Sequence, residues 1–206
     1  MAYAAPVPSA PPQNSSGAIP NFIEKGYVNF IGTSSFPQTW IVPSGVTGIE
    51  CIINGGGGGY GYSYLNNYSI PLPGTGGKYT AYAPVNPGDQ ITVWVAMPPD
   101  EWVGGWGYIN GSNGWTNGYS YAGGGGGASA VAKNGNIIGI AGGGGGAEGY
   151  GYGGGGGFGC GGAGGSQYGG AGAGCNGSSV GSNGINGADA TAANNLPMPT
   201  VYIFYN

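Results

Sequence analysis

The chain has 206 residues, of which 53 are glycine and 15 are proline, and it carries a formal net charge of −4 with no histidine. Three basic residues are too few to neutralise a nucleic-acid backbone or to bind an anionic membrane surface, and no run of about 18 apolar residues predicts a transmembrane helix. Apolar residues make up 40% and aromatic residues 13% of the chain, which favours an ordered fold over disorder.

Residues 1–24 form a segment rich in proline and serine, with prolines at positions 6, 8, 11, 12 and 20. This composition predicts an extended arm, partly in the polyproline II conformation, without a core of its own. We expect the arm to anchor the protein by lying on a neighbouring copy or a partner subunit, and wrapping its own domain is the alternative. The arm lacks the basic start and apolar block of a signal peptide, so we expect the protein to reach an extracellular or virion-surface location by another route.

Residues 25–206 are predicted to form one all-β, glycine-rich domain on a sandwich-like base of short antiparallel strands. The strand-like stretches are KGYVNFIGT (25–33), QTWIVP (38–43), GIECIIN (48–54), KYTAYAPV (78–85), DQITVWVAM (89–97) and TVYIFYN (200–206). Alternation places Ile49, Cys51 and Ile53 on one face, so Cys51 is expected to be a buried apolar residue. The stretch ASAVAKNGNIIGIA (128–141) has Asn134-Gly135 between two strand patterns, which predicts a hairpin.

Between the strands lie runs of five glycines, at 55–59, 123–127, 142–146 and 153–157. A flexible linker is the ordinary interpretation of such a run. These runs contain no serine and abut strand-like segments, so we instead expect ordered polyglycine II helices with three residues per turn. Their outward N–H and C=O groups must be paired when buried, and neighbouring runs without Cβ atoms come close enough to pair them. The sequence therefore predicts a bundle of packed polyglycine II helices on the β base.

The loops between strands and glycine runs are rich in tyrosine and tryptophan, which give large contact areas at low entropic cost. We expect these rings, next to Asn and Ser, to bind a host-surface glycan or protein. Capping the bundle or packing copies together is the alternative. The candidate binding residues are Tyr60, Tyr62, Tyr64, Tyr68, Trp102, Trp106, Tyr108, Trp115, Tyr119, Tyr121, Tyr150 and Tyr152.

Cysteine and acidic residues offer little chemistry. Cys160 and Cys175 flank a glycine-rich stretch, and a disulfide between them would stabilise the fold by about 3 kcal/mol. We expect no metal site, because zinc ligands need histidines or closely paired cysteines. No enzymatic activity or cofactor is expected either: Asp100 and Glu101 are adjacent in a loop, unlike the opposed carboxylates of a glycosidase, and the glycine runs lack a βαβ context.

The stretch FPQTWIVPSGVTGIECIINGGGGG (36–59) resembles the glycine-rich domain of phage tail fibres and other virion surface proteins, in which strands lead directly into polyglycine. The resemblance continues in KYTAYAPVNPGDQITVWV (78–95), GGGGGASAVAKNGNIIGIAGGGGG (123–146) and VYIFYN (201–206), so it covers residues 36–206. It implies a β base, a polyglycine lattice, distal loops that recognise host surfaces, and no enzymatic activity. The arm and the high aromatic content depart from this pattern, and leave a virion adhesin and a self-assembling extracellular filament or coat as the functions to be distinguished.

Overall fold

A computed structural model describes residues 23–32, 37–62, 73–117, 119–147, 181–182 and 199–206. Within these ranges the chain is all-β, with two antiparallel sheets and no helix, as the sequence predicts. Residues 1–22 of the predicted arm and the fourth glycine run, 153–157, lie outside the described residues.

The two sheets, which we call sheet A and sheet B, contain five and four strands. In sheet A the strands lie in the order β1 (Gly26–Ile31), β9 (Thr200–Tyr205), β3 (Gly48–Asn54), β4 (Lys78–Pro84) and β8 (Gly181–Ser182). In sheet B the order is β2 (Gln38–Ile41), β5 (Gln90–Trp94), β6 (Ser129–Lys133) and β7 (Asn136–Ala141). Each of these strands except β8 coincides with a predicted one. The two residues of β8, a glycine and a serine, have no strand-like pattern to reveal them.

The hydrophobic core lies between the inner faces of the two sheets. Ile49, Cys51 and Ile53 of β3 are fully buried in one cluster with Ile91 and Val93 of β5. The predicted burial of Cys51 is therefore confirmed. Burial, with a smaller contribution from the nearby Glu50 carboxylate, raises the pKa of the Cys51 thiol far above its ordinary value, so this thiol stays neutral and unreactive.

The predicted hairpin between β6 and β7 is confirmed. Asn134 and Gly135 form its turn with φ angles of 47° and 80°, a region that favours Asn and Gly. Asn134 also ties the turn to β5, because its Oδ1 accepts a hydrogen bond from the Gln90 N–H at 2.8 Å. Its Nδ2 donates to Asp89 Oδ1 at 2.7 Å.

Beyond one end of the sandwich, backbone packs directly on backbone in a region that we call the glycine array: residues 55–61, 73–77, 122–127 and 142–147. Every glycine of the three described runs is buried. Each run is hydrogen-bonded to both others. The Gly56 N–H donates to the Gly127 carbonyl at 3.0 Å, the Gly126 N–H to the Gly144 carbonyl at 2.8 Å, and the Gly144 N–H to the Gly56 carbonyl at 2.8 Å.

The hydrogen bonds of the array repeat every three residues. N–H groups three residues apart donate to the same neighbouring segment. Gly55 donates to the Gly77 carbonyl and Gly58 to that of Gly74. The other pairs follow the same rule: Gly56 to Gly127 with Gly59 to Gly124, and Gly144 to Gly56 with Ala147 to Gly59. A β-ladder would repeat every two residues. The backbone N–H groups of one run are thus directed to different neighbours in turn.

Glycine is required in the array because its neighbours occupy the place of a side chain. A Cβ built on Gly126 would overlap the Gly56 carbonyl oxygen, and one built on Gly144 would overlap that of Gly74. Backbone conformation does not explain these glycines: the positive-φ glycines of the described residues are Gly45, Gly88 and Gly135, all outside the array. The close approach of backbones is therefore the reason for the glycine runs.

Ser129 connects the sheets to the array. Its side chain is fully buried, and its hydroxyl donates to the Asn54 carbonyl at 2.6 Å, where β3 ends. The same oxygen accepts a hydrogen bond from the Ala96 N–H at 2.9 Å, just after β5. Two backbone groups that leave the sheet ladders are satisfied by this one side chain.

Substituting Gly144 by alanine should destabilise the protein strongly, because the new Cβ would overlap the Gly74 carbonyl. We expect the free energy of unfolding to fall by about 3 kcal/mol or more, since hydrogen-bonded backbone cannot move aside. Gly88→Ala is the control, as its φ is 88° and no atom lies within 4 Å of the added Cβ. Its cost should be about 1 kcal/mol, from backbone strain alone. Equal effects in chemical denaturation would contradict the packing argument.

Candidate binding site

The glycine array stands on one end of the sandwich and carries the candidate site at its far end. Strand β3 leads directly into run 55–59 and β7 into run 142–146, while run 123–127 leads into β6. All three connections lie where Ser129 bridges the two sheets. We call this end of the sandwich the distal end, and the opposite end the basal end.

At the far end of the array lies the distal surface, which we define as Tyr60, Tyr62, Asp100, Glu101, Tyr119 and Tyr121. Tyr62 and Tyr121 are held together by their backbones: each N–H donates to the other's carbonyl, at 2.7 and 2.9 Å. Their ring centroids are 5.8 Å apart. Tyr60, Tyr62 and Tyr119 are exposed by 39%, 49% and 78% of their surface, so three rings of the surface can contact a partner.

The two carboxylates reach this surface through a tight turn. The Val103 N–H donates to the Asp100 carbonyl at 2.8 Å, and the Asp100 N–H donates to the Val103 carbonyl at 3.1 Å. Glu101, with a φ of 51°, lies at the tip of this turn. Its carbonyl accepts a hydrogen bond from the Gly124 N–H at 2.9 Å, which fixes the turn to the glycine array.

These carboxylates affect the neighbouring tyrosine. Burial is the largest cause that raises the pKa of the Tyr121 phenol, followed by the negative charge of Glu101, by Tyr62 and by Asp100. The phenol therefore stays protonated, as a hydrogen-bond donor, up to a higher pH than usual. From the sequence, Asp100 and Glu101 are an ordinary pair of loop acids, because nothing local indicates that Tyr121 lies beside them.

Asparagine side chains hold the loop around Tyr119. The Oδ1 atom of Asn117 accepts hydrogen bonds from the Tyr119 N–H at 2.9 Å and the Ser120 N–H at 2.8 Å. Nearby, Asn113 Oδ1 accepts from the Gly104 N–H at 2.9 Å. Such side chain-to-backbone bonds define the loop without a core of its own. The tyrosine ring remains free to make contacts outward.

Two of the candidate aromatic residues, Trp106 and Tyr108, lie near the sandwich and away from the distal surface. The Trp106 carbonyl accepts from the Met97 N–H at 2.6 Å, and the Tyr108 N–H donates to the Ala128 carbonyl at 2.8 Å. The Tyr108 ring packs edge-on against Trp94 of β5, with centroids 5.2 Å apart. Tyr108 thus covers the outer face of sheet B, whereas Trp106 is 60% exposed.

The other candidate residues divide into two groups. Trp102 and Trp115 are half-buried along the array. The Trp102 carbonyl accepts a hydrogen bond from the Gly114 N–H at 2.7 Å, and the Trp115 carbonyl accepts one from the Ala122 N–H at 2.8 Å. The residues that lie outside the described part of the chain are Tyr64, Tyr68, Tyr150, Tyr152 and the proposed disulfide pair Cys160 and Cys175.

The distal surface combines ring faces, carboxylates and amide groups. Among the described residues, no three Cys, Asp or Glu side chains come together in a group suited to a metal ion. The described ranges also contain no helix with the length and hydrophobicity of a membrane-spanning segment. No family model matches this chain, and no curated protein matches it in sequence.

Tyr121 provides a pH test of the distal surface. Its pKa in the folded state lies above the ordinary 10.0, so as the pH rises past that value the unfolded chain loses this proton first. The contribution of Tyr121 should therefore lower the stability of the fold at alkaline pH. We expect the difference in tyrosinate absorbance between the wild type and Tyr121→Phe to titrate with a midpoint above 10.0.

Glu101→Gln is the matched control for this titration. It removes the largest charge effect and leaves burial, so the Tyr121 midpoint should move part of the way back towards 10.0. A wild-type midpoint at or below 10.0, or a midpoint unchanged by Glu101→Gln, would show that the carboxylates do not face the tyrosine.

Proposed function

We propose that this protein is a non-enzymatic adhesive surface protein, most like a phage tail-fibre or virion surface protein, located outside the cell or on a virion. Its N-terminal arm assembles it with other copies, and its distal surface contacts a host surface. One observation carries the proposal: the chain enters the fold at the basal end, and the exposed tyrosines of the distal surface lie at the opposite end.

The polarity follows from the backbone. At the basal end the Lys25 N–H donates to the Tyr205 carbonyl at 2.8 Å, and Asn206 Oδ1 accepts from the Gly48 N–H at 2.8 Å. From Gly48 the chain runs along β3 and then along run 55–59 to Tyr60. At about 3.3 Å per residue in the strand and about 3.1 Å in the run, this path is about 40 Å long. Anchor and contact surface are thus separated by the length of the domain.

In this proposal the three described glycine runs of the array are polyglycine II helices. The three-residue repeat of hydrogen bonds and the absence of positive φ in the described glycine runs support this assignment, since the helix has three residues per turn and a φ near −75°. Because each run is bonded to two others, the bundle resists bending. A rigid support holds the distal loops in one arrangement, which lowers the entropic cost of binding.

The ligand that best fits the distal surface is a neutral glycan of a host envelope. Tyrosine faces suit the C–H faces of a sugar, and the carboxylates of Asp100 and Glu101 accept hydrogen bonds from its hydroxyls. Two carboxylates on this surface disfavour an anionic polysaccharide through repulsion. A reaction is not part of the proposal, because the chain has no histidine base and these two acids share one turn.

A filament or coat subunit is the second candidate function. The aromatic residues and the arm would then both make contacts between copies. Trp106 favours this function, because it lies near the sandwich, away from the distal surface, and is 60% exposed, so its ring could contact a neighbouring copy. Electron microscopy of the full-length chain separates the two: long filaments favour the second function, and discrete particles favour the adhesin.

The double change Tyr62→Ser and Tyr119→Ser should weaken attachment to host cells by about tenfold or more, because both rings belong to the proposed contact surface. The measurement is flow cytometry of labelled full-length protein on a panel of bacterial strains. Ile41→Ser is the control, since Ile41 is 54% exposed on β2 at the basal end. Attachment that survives the double change would rule out the distal surface as the adhesive site.

Deleting residues 1–22 should abolish assembly and leave the β fold in place, because no described strand includes these residues. Sedimentation reports the assembly, and circular dichroism with thermal melting reports the fold. The full-length protein, prepared in parallel, is the reference. If the shortened chain assembles as the full-length chain does, the arm is not the anchor.

A further inference from the structure

The outer faces of the two sheets differ in their exposure. On sheet B, Tyr108 and Ile109 pack over Trp94 and Ala130, so the chain covers this face itself. On sheet A, the outward side chains of β1 are exposed, including Tyr27 at 59% and Ile31 at 56%. Within the described part of the chain, the outer face of sheet A is therefore exposed at the edge where β1 lies.

Four rings and two aliphatic side chains lie on this face among polar ones such as Asn29 and Thr200, whereas a water-facing sheet is usually polar. We define the sheet A face as Tyr27, Ile31, Ile52, Tyr82, Tyr202 and Phe204. Its rings lie side by side across neighbouring strands, with centroids 5.9 Å apart for Tyr27 and Phe204 and 6.4 Å for Tyr202 and Phe204. Contiguous apolar surface of this kind marks an interaction site.

A carboxylate lies among these rings and is already partnered. Glu50 is opposite Phe204 on one side and Tyr82 on the other, and the Tyr82 hydroxyl donates to Glu50 Oε1 at 3.0 Å. The hydroxyls of Tyr27 and Tyr202 project from the same face as further hydrogen-bond donors. The face thus offers ring surfaces together with donors for carbonyl groups.

We propose that the sheet A face binds residues 1–22 of the proline-rich arm of a second copy of this chain. The proposal rests on the anchoring role of the arm given above, and it names the surface that receives the arm. Grooves lined with aromatic residues bind extended polyproline II segments, whose carbonyls are free to accept hydrogen bonds from tyrosine. Residues 1–22 have prolines at 6, 8, 11, 12 and 20 and no charged side chain, so they bring no charge to the face, where the Glu50 carboxylate already accepts a hydrogen bond from Tyr82.

The direction of β1 favours a second copy over the chain's own face. The Lys25 N–H bond to the Tyr205 carbonyl continues the line of β1 to Lys25, so the chain enters β1 from the basal end. A neighbour's face, unlike the chain's own, needs no reversal.

The length of the arm is sufficient for this reach. Residues 1–22 extend to about 68 Å at about 3.1 Å per residue, whereas the six residues of β1 span about 20 Å. One arm can therefore cross to a neighbour and still cover its sheet A face. Two copies can exchange arms reciprocally, or successive copies can each pass an arm to the next, which closes into a ring or continues as a chain.

Photo-cross-linking of the full-length protein tests the occupant. Tyr27→p-benzoylphenylalanine is introduced, isotopically heavy and light chains are mixed before assembly, and cross-linked peptides are identified by mass spectrometry. We expect links from position 27 to residues 1–22 in heavy–light pairs. Links confined to single chains, links to residues 63–72 or 148–180, or no links at all would each overturn the proposal.

Sedimentation of variants tests the energetic role of the face. Tyr27→Ser with Ile31→Thr should weaken association by about tenfold or more, and so should Pro→Ser at positions 6, 8, 11 and 12. Ile41→Thr is the control, because the Ile41 side chain on sheet B is about as exposed as Tyr27 and Ile31. It should leave association within about twofold of the wild type. If deleting residues 1–22 abolishes association and the Tyr27/Ile31 variant does not, this inference fails and the anchoring role stands. If the deletion changes nothing, the anchoring role itself fails.

Discussion

The absence of Cβ atoms in three glycine runs is the constraint on which the rest of the structure depends. In most protein cores, side chains fill space and the backbone pairs within sheets or helices. In the glycine array the backbone does both, because the carbonyl of one run occupies the place where a neighbour's Cβ would be. Burial, hydrogen bonding and close approach are therefore satisfied together or lost together, and the position of the distal loops depends on all three.

The change of repeat between sheet and array creates a second requirement. In β3 the side chains alternate every two residues, whereas beyond Asn54 the hydrogen bonds repeat every three. At such a junction some backbone groups leave one pattern before they enter the other, and if buried they must find partners. Ser129 supplies them at Asn54 and Ala96. A buried hydroxyl is suited to this place, because it donates and accepts through a single small group.

Local patterns in the sequence were sufficient for the strands and the hairpin. Alternation in β3 and the Asn134-Gly135 turn need no information from the rest of the chain. The length and purity of the glycine runs likewise indicated ordered, mutually bonded backbone, although not which run contacts which. The pairing of Tyr62 with Tyr121 has no local signal, because it joins residues far apart in the chain. For the same reason the proximity of Glu101 to Tyr121 could not be predicted from the sequence. The contact of Tyr108 with Trp94 is also long-range, so local sequence patterns do not predict it.

The glycine array also has a consequence for temperature. Unfolding an ordinary core exposes hydrocarbon and raises the heat capacity, whereas exposing peptide groups lowers it. Because the described glycine runs bury backbone and no side chains, the array should bring the heat-capacity change of the chain below the usual value of about 12–15 cal/mol/K per residue. A smaller heat-capacity change flattens the curve of stability against temperature. Such a protein loses little stability on cooling.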